Sequence, residues 1–251
     1  MLQFSNQPAI NRLKVKEAVF LMMVFGSMLA GCNTTDSSSE EPEAVFEYDF
    51  REMKSGWEPF FTNYNVGNRE GMDFDTGYRS LPEPLNTADM AQYIRATNQS
   101  DDVKMLFRRQ VNRLEPNTEY SVQFVIRFGT SVPSGCLGIG GSPGGSVRVI
   151  TDVSRMMPEP IIEDEYYLLN VEQAGNPEEW YQNAIVGDIA NSRDCEDGYQ
   201  YEIKELQSDP GHASVITDEN GAAWLLFGTR SGFEGTTELY YTYFKAEFHE
   251  M

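Results

Sequence analysis

From Glu119 to Phe128 apolar and polar residues alternate. Tyr120, Val122, Phe124, Ile126 and Phe128 fall on one side, and Glu119, Ser121, Gln123 and Arg127 on the other. Side chains of a strand point alternately to its two faces, whereas a helix repeats every 3.6 residues, so a period of two buries one face only as a strand. The turn Leu114-Glu115-Pro116-Asn117-Thr118 introduces it. A half-buried strand needs antiparallel partners and a second layer over its apolar face. The chain supplies such partners at Val45–Phe50, Trp57–Thr62, Gln92–Thr97, Val103–Val111, Ser146–Ile150, Tyr166–Val171, Tyr199–Leu206 and Ser214–Thr217. Asp218-Glu219-Asn220-Gly221 carries the Asn-Gly hairpin signal and leads into Ala222–Phe227, apolar on both faces as a central strand requires. Leu239–Phe248 closes the set, with Tyr240, Thr242, Phe244, Ala246 and Phe248 expected inward and Tyr241 and Tyr243 outward. Residues 63–89, rich in Gly, Asn, Asp and Pro, read as long loop, and only 86–93 offers a helical turn or two. The pattern predicts an all-β fold, a single antiparallel β-sandwich over 45–251, jelly-roll-like because terminal strands of this kind pair.

Arg12, Lys14 and Lys16 precede an apolar run, Ala18–Leu29, of signal-peptide length and too short to span a bilayer as a helix. The run ends in Leu29-Ala30-Gly31-Cys32, which resembles the lipobox of bacterial lipoproteins. That resemblance implies that residues 1–31 are a cleaved signal peptide. It also implies that Cys32 becomes the first residue and carries the acyl chains (palmitate or a similar lipid) that tie the protein to the membrane. More than one chain makes such an anchor stable. In that family an Asp after the cysteine often retains the protein at the inner membrane. Asn33 therefore implies the cell envelope's outer membrane. Residues 32–44 are the lipidated cysteine and an acidic, Ser-rich tether that cannot bury apolar area. A flexible linker of that length holds the folded part about 20 Å from the surface, in periplasm or outside the cell.

The 251 residues carry a formal charge of −20, and 1–31 holds three cations against Glu17, so the processed chain is near −22. Such a surface repels phosphate backbones and excludes nucleic acid as a natural partner. Besides Cys32, Cys136 and Cys195 remain, an even number that in an exported protein reads as a disulfide; the alternative is two separate thiols.

Two glycine-rich stretches stand out. Gly138–Ser146 lacks the lysine of a phosphate loop and reads as a tight connection. Gly228–Thr237 reads as a long loop between strong strands, where Arg230 offers a donor fork and Glu234 an acceptor, as a ligand site or as a pair that pins the loop. The two stretches are expected to lie near each other. Trp180 and Tyr181, after an Asn-Pro turn, and Tyr241 and Tyr243 are the aromatics able to stack on sugar rings if they are exposed. Asp73, Asp75 and Gly77 form a fragment of a calcium loop, leaving a structural calcium open; no other cofactor is implied. His212 and His249 are the only histidines, Gly-x-Ser-x-Gly is absent, and no catalytic residue is assigned.

Gln110–Val122 contains Leu114-x-Pro116-x-Thr118-x-Tyr120. It is similar to the strand–turn–strand of carbohydrate-binding modules and galactose-binding-like jelly rolls, and the same phrase recurs in fibronectin-type domains. It implies the fold. The function expected is a membrane-anchored binding module of the cell envelope, for a glycan. A hydrolase with a carboxylate pair and a structural protein of envelope assembly stay open as alternatives.

Overall fold

The computed structural model describes residues 41–251, apart from positions 53, 55, 100 and 101. The lipobox, Cys32 and the tether up to residue 40 lie outside the described residues. Along the chain come β1 (Ala44–Asp49), β2 (Glu58–Thr62), β3 (Tyr64–Asn65) and a 3-10 helix at Val66–Met72. β4 (Asp75–Ser80), β5 (Met90–Thr97), β6 (Val103–Val111) and β7 (Glu119–Thr130) follow. After β8 (Val147–Ser154) the chain makes an excursion through β9 (Pro160–Glu163), β10 (Tyr166–Leu169), α1 (Asn170–Gln173) and α2 (Pro177–Ala184). It returns through β11 (Ile185–Asp188), β12 (Glu202–Gln207), β13 (Ala213–Ile216), β14 (Ala223–Ser231) and β15 (Thr236–Glu250).

Two antiparallel sheets face each other. In the first, β7 pairs with β15; β12 and β13 share the far edge of β7, β5 and β1 share the far edge of β15, and β4 flanks β5. The second has the order β11-β8-β14-β6-β2, and β3, β10 and β9 form a small third sheet. The first and last strands pair, Ala44 opposite Phe248, as the jelly-roll expectation required.

The alternation in β7 works as the sequence implied. Val122, Phe124, Ile126 and Phe128 are buried in the core between the sheets, where they meet Leu225 and Phe227 of β14. The Phe227 ring lies 4.7–5.2 Å from those of Trp57, Phe107, Tyr241 and Phe244. Such aromatic clustering adds to simple area burial.

Four expectations are corrected. Residues 63–89 are not one loop, because they contain β3, the 3-10 helix and β4. The helical turns expected at 86–93 are absent: Asp89 N–H bonds Asn86 O in a turn, and β5 starts at Met90. The stretch 228–237 is mostly strand, since β14 continues to Ser231 and leaves only Gly232–Gly235 as connection. Finally, the pairing of β15 with β7 shifts between Tyr241 and Tyr243. This bulge inserts an extra residue and reverses the facing of what precedes it. Tyr241 is therefore a fully buried core residue beside Phe107, Phe128 and Phe227, and Tyr240 lies on the outer face, 4.9 Å from the Tyr93 ring.

Candidate functional site

The excursion after β8 packs on the outer face of the second sheet. Leu106, Ile150 and Leu226 point outward from β6, β8 and β14 and form a second apolar cluster with Leu169, Val171 and Ala184; Phe60, Trp180, Tyr181 and Ile185 pack around it. The Asn-Pro pair is a helix start. Asn176 caps α2 by accepting from Glu178 and Glu179 N–H at 3.2 and 3.4 Å, with Pro177 in the first helical position. That helix sets Trp180 and Tyr181 against the sheet.

Polar ties cross the same interface. Lys104 Nζ, fully buried, donates to Glu172 Oε2 at 2.5 Å. Burial pushes the Lys104 pKa down, and the Glu172 charge works against that shift. Trp180 Nε1 donates to Asp152 Oδ2 at 2.6 Å. Burial raises the Asp152 carboxyl to about 6, although the Val153 and Trp180 donors favour its ionised form. Asp152, Trp180 and Asn183 line a cavity of about 240 Å³ with His212 and Ser214. Burial lowers the His212 pKa, so its imidazole is neutral near pH 7.

Arg230 sits on β14 among basic neighbours. Register puts it directly opposite Lys104 of β6 and Arg148 of β8. All three face outward, because Val103, Met105, Val147 and Val149 beside them point into the core. The Arg230 guanidinium bonds Asp102 and lies 3.7 Å over the Tyr181 ring. The partner expected for it, Glu234, is elsewhere. Glu234 is exposed on the short connection after β14, where its N–H bonds Ile139 O at 2.9 Å.

That bond belongs to a rim where the two glycine-rich stretches meet. Gly232 N–H bonds Ser146 O at 3.0 Å. A Cβ on Gly140 would stand 2.5 Å from Gly232 O, so the approach requires glycine. Within 138–146 three amides are satisfied locally, Ser146 N–H bonding Ser142 O at 3.0 Å. Ser142 N–H bonds Ser146 Oγ at 2.9 Å and Gly145 N–H bonds Ser142 Oγ at 3.3 Å, the tight connection expected from the sequence. The Cys136–Cys195 disulfide staples the rim, with Cα atoms 5.0 Å apart. Leu137 and Ile139 stand beside it, 98% and 72% exposed.

The structure therefore gathers Arg230, Trp180 and Tyr181 on one face and separates the other candidates from them. Tyr241 is buried and cannot stack on a ligand. Tyr243 lies on the outer face of the first sheet but is buried, donating to Glu47 at 2.9 Å with Arg127 4.4 Å from its ring. Asp73 and Asp75, the calcium-loop fragment, face Arg95 and Arg79 at 2.7 and 2.8 Å. Sequence reasoning passed over Lys104, Arg148, Asp102 and Asp152. The first two are legible as outward positions of alternating strands, but only strand register places them beside Arg230.

No protein-family model and no curated protein matches the chain. Among solved structures, a putative sugar binding protein from Bacteroides thetaiotaomicron aligns with 79% of this chain and 91% of its own, at 9% identity and a TM-score of 0.38. A carbohydrate-binding module described for specific mannan recognition aligns over 81% and 98%, at 10% identity and a TM-score of 0.37. The enzymatically active domain of a bacteriophage tailspike protein aligns over 78% of this chain at 13% identity and a TM-score of 0.30, and the chain spans one fifth of its length. The all-β sandwich itself rests on the strand pairing described above.

Proposed function

We propose that this protein is a lipid-anchored protein of the bacterial cell envelope, tethered through Cys32, whose sandwich binds a glycan on the outer face of its second sheet. The observation that carries the reading is Arg230 stacked on Tyr181. A half-buried ring and the planar guanidinium that covers one of its faces form a rigid stack carried by a strand and a capped helix, with Trp180 adjacent. Sugar rings present apolar C–H faces and hydroxyl edges, and this pairing suits both.

The first described residues lie at the end of the sandwich opposite the stapled rim. Glu43 N–H bonds Phe248 O and Met251 N–H bonds Glu119 O, so the chain enters where β7 starts and β15 ends. β7 runs from there to Thr130, and the stapled rim follows it.

Glycan-array screening followed by calorimetry tests the reading. Tyr181→Ala and Arg230→Ala are expected to weaken the best hit at least tenfold. A hit unaffected by both variants places the ligand elsewhere. Metabolic labelling with a radioactive fatty acid tests the anchor, and label retained by Cys32→Ala rules it out.

A second reading, contact with an envelope protein, has the exposed Leu137 and Ile139 in its favour. Crosslinking that is lost in Leu137→Asp with glycan capture intact would favour it.

A further inference from the structure

We infer that the glycan recognised on this face is anionic, with a carboxylate of a uronic acid sugar held by Arg148 and Arg230. The inference rests on the glycan reading above and deepens it.

Lys104, Arg230 and Arg148 stand in one row across β6, β14 and β8. Like charges directly opposite on neighbouring strands repel and are destabilising. The chain places three together although it has only 19 Lys and Arg against 39 Asp and Glu. Lys204 adds a fourth cation nearby, donating to Asp188 Oδ1 at 2.8 Å and to Ala190 O at 2.6 Å. Against these four stand Glu172, Asp102, Asp188 and, farther along β8, Asp152, so the patch is near neutral on a molecule at −20.

The donors are unequally used. Lys104 is closed off and spent on Glu172. Arg230 gives Nη2 to Asp102, while its buried Nε has no partner among the described residues. Arg148 is the most open, its side chain 44% exposed, and its recorded ion pair is a 3.8 Å approach to Asp188, beyond hydrogen-bond range. The oxygen that faces Arg148 is Asp188 Oδ2, while Oδ1 accepts from Lys204 and, at 3.1 Å, from Ala190 N–H, two bonds that hold the carboxylate in this orientation. A guanidinium fork with free donors, fixed on a central sheet beside a ring, matches a planar carboxylate that accepts two parallel bonds. The sugar ring would lie against the open side of the Arg230–Tyr181 stack, and Arg148 would take the carboxylate at its edge.

The test uses the full-length protein in detergent and four probes by calorimetry. They are a tetragalacturonate, its fully methyl-esterified form, a neutral galactan of equal length and a sulfated galactan. The acid is expected to bind at least tenfold tighter than its ester or the neutral chain. Arg148→Gln should erase most of that preference without lowering the melting temperature, since it relieves the repulsion across the row, and Arg148→Lys should restore part of it. Equal affinity for acid and ester, or an acid preference indifferent to Arg148→Gln, overturns the inference and leaves a neutral glycan site standing. Tighter binding of the sulfated chain overturns the carboxylate in favour of a sulfate ester. Binding of no probe, together with no hit on an array, removes the glycan reading itself and this inference with it.

Discussion

Two side chains show how burial sets chemistry one residue at a time. Tyr241 lies wholly in the core, and its hydroxyl has no hydrogen-bond partner among the described residues. Burial alone pushes its pKa far up. An unpaired buried hydroxyl costs about 1–3 kcal/mol, so Tyr241→Phe should raise stability by about 1 kcal/mol in urea denaturation. A loss would mean that the hydroxyl bonds a buried water. Asp152 makes a pH argument. Its folded pKa of about 6 lies above the ordinary value of 3.8. Between about pH 4 and 6 the folded state therefore holds a proton that the unfolded chain has released, and stability falls as pH rises through that window. The shift corresponds to at most ~3 kcal/mol, less where solvent reaches the cavity. His212, with its pKa lowered, acts oppositely as pH drops below about 6.5, so the comparison with Asp152→Asn is needed to isolate one group. The advantage of Asp152→Asn over wild type should be greatest above pH 6 and shrink towards pH 4. A difference that is flat with pH would show that Asp152 titrates normally.

Elements were legible where their information is local. Alternation gave β7 and its core face, and Asn220-Gly221 sits where Gly221 N–H closes a turn on Asp218 O. Asn176-Pro177-Glu178-Glu179 is also a readable helix start, with cap, proline and acids in the first turn, although the pair reads equally as a turn when the following residues show no long helical period. The bulge in β15 was not legible, because nothing in Leu239–Phe248 marks which residue is doubled; that is decided by the partner strand. Gly228 misled for a related reason. It stands in mid-strand, where a Cβ would come within 2.0 Å of Met105 O, so it marks close approach between β14 and β6 and no loop. The cap made of α1 and α2 depends on Lys104–Glu172. Removing one partner of a buried pair leaves the other charge uncompensated, at about 3–5 kcal/mol, whereas replacing both by apolar residues is often neutral. Glu172→Gln should therefore lower stability and open residues 155–184 to proteolysis, and Lys104→Met combined with Glu172→Leu should recover most of it. A single variant costing under ~1 kcal/mol would show that apolar contacts alone hold the cap.

At the scale of the whole molecule, the decisive constraints join distant parts of the chain. The row Lys104–Arg230–Arg148 draws on three strands spread over more than a hundred residues, which is why residue types alone left Arg230 with the wrong partner, Glu234. The disulfide is the exception, since its pairing followed from cysteine count. It joins residues 59 apart and fastens the loop after β7 to the segment before β12. Beside it Ser134 N–H bonds Arg193 O at 2.8 Å and Ser134 Oγ bonds the same carbonyl at 3.0 Å, so the staple and a short ladder hold the rim together. Closing a loop of this length removes unfolded-chain entropy worth about 4 kcal/mol in the chain-entropy model. The sandwich core lies between the sheets and does not include Cys195. Cys136→Ser with Cys195→Ser should therefore yield a folded protein with lower stability, by about 2–4 kcal/mol in urea, the loss falling short of the entropic figure to the extent that the Ser134 bonds preserve the loop. Reductant should reproduce the drop in wild type and leave the double variant unchanged. Arg230 is anchored by β14 and Tyr181, so glycan affinity should survive the loss of the staple, whereas a site built on the rim loops would lose it. Affinity and stability falling together in the double variant would move the binding site from the sheet face to the rim.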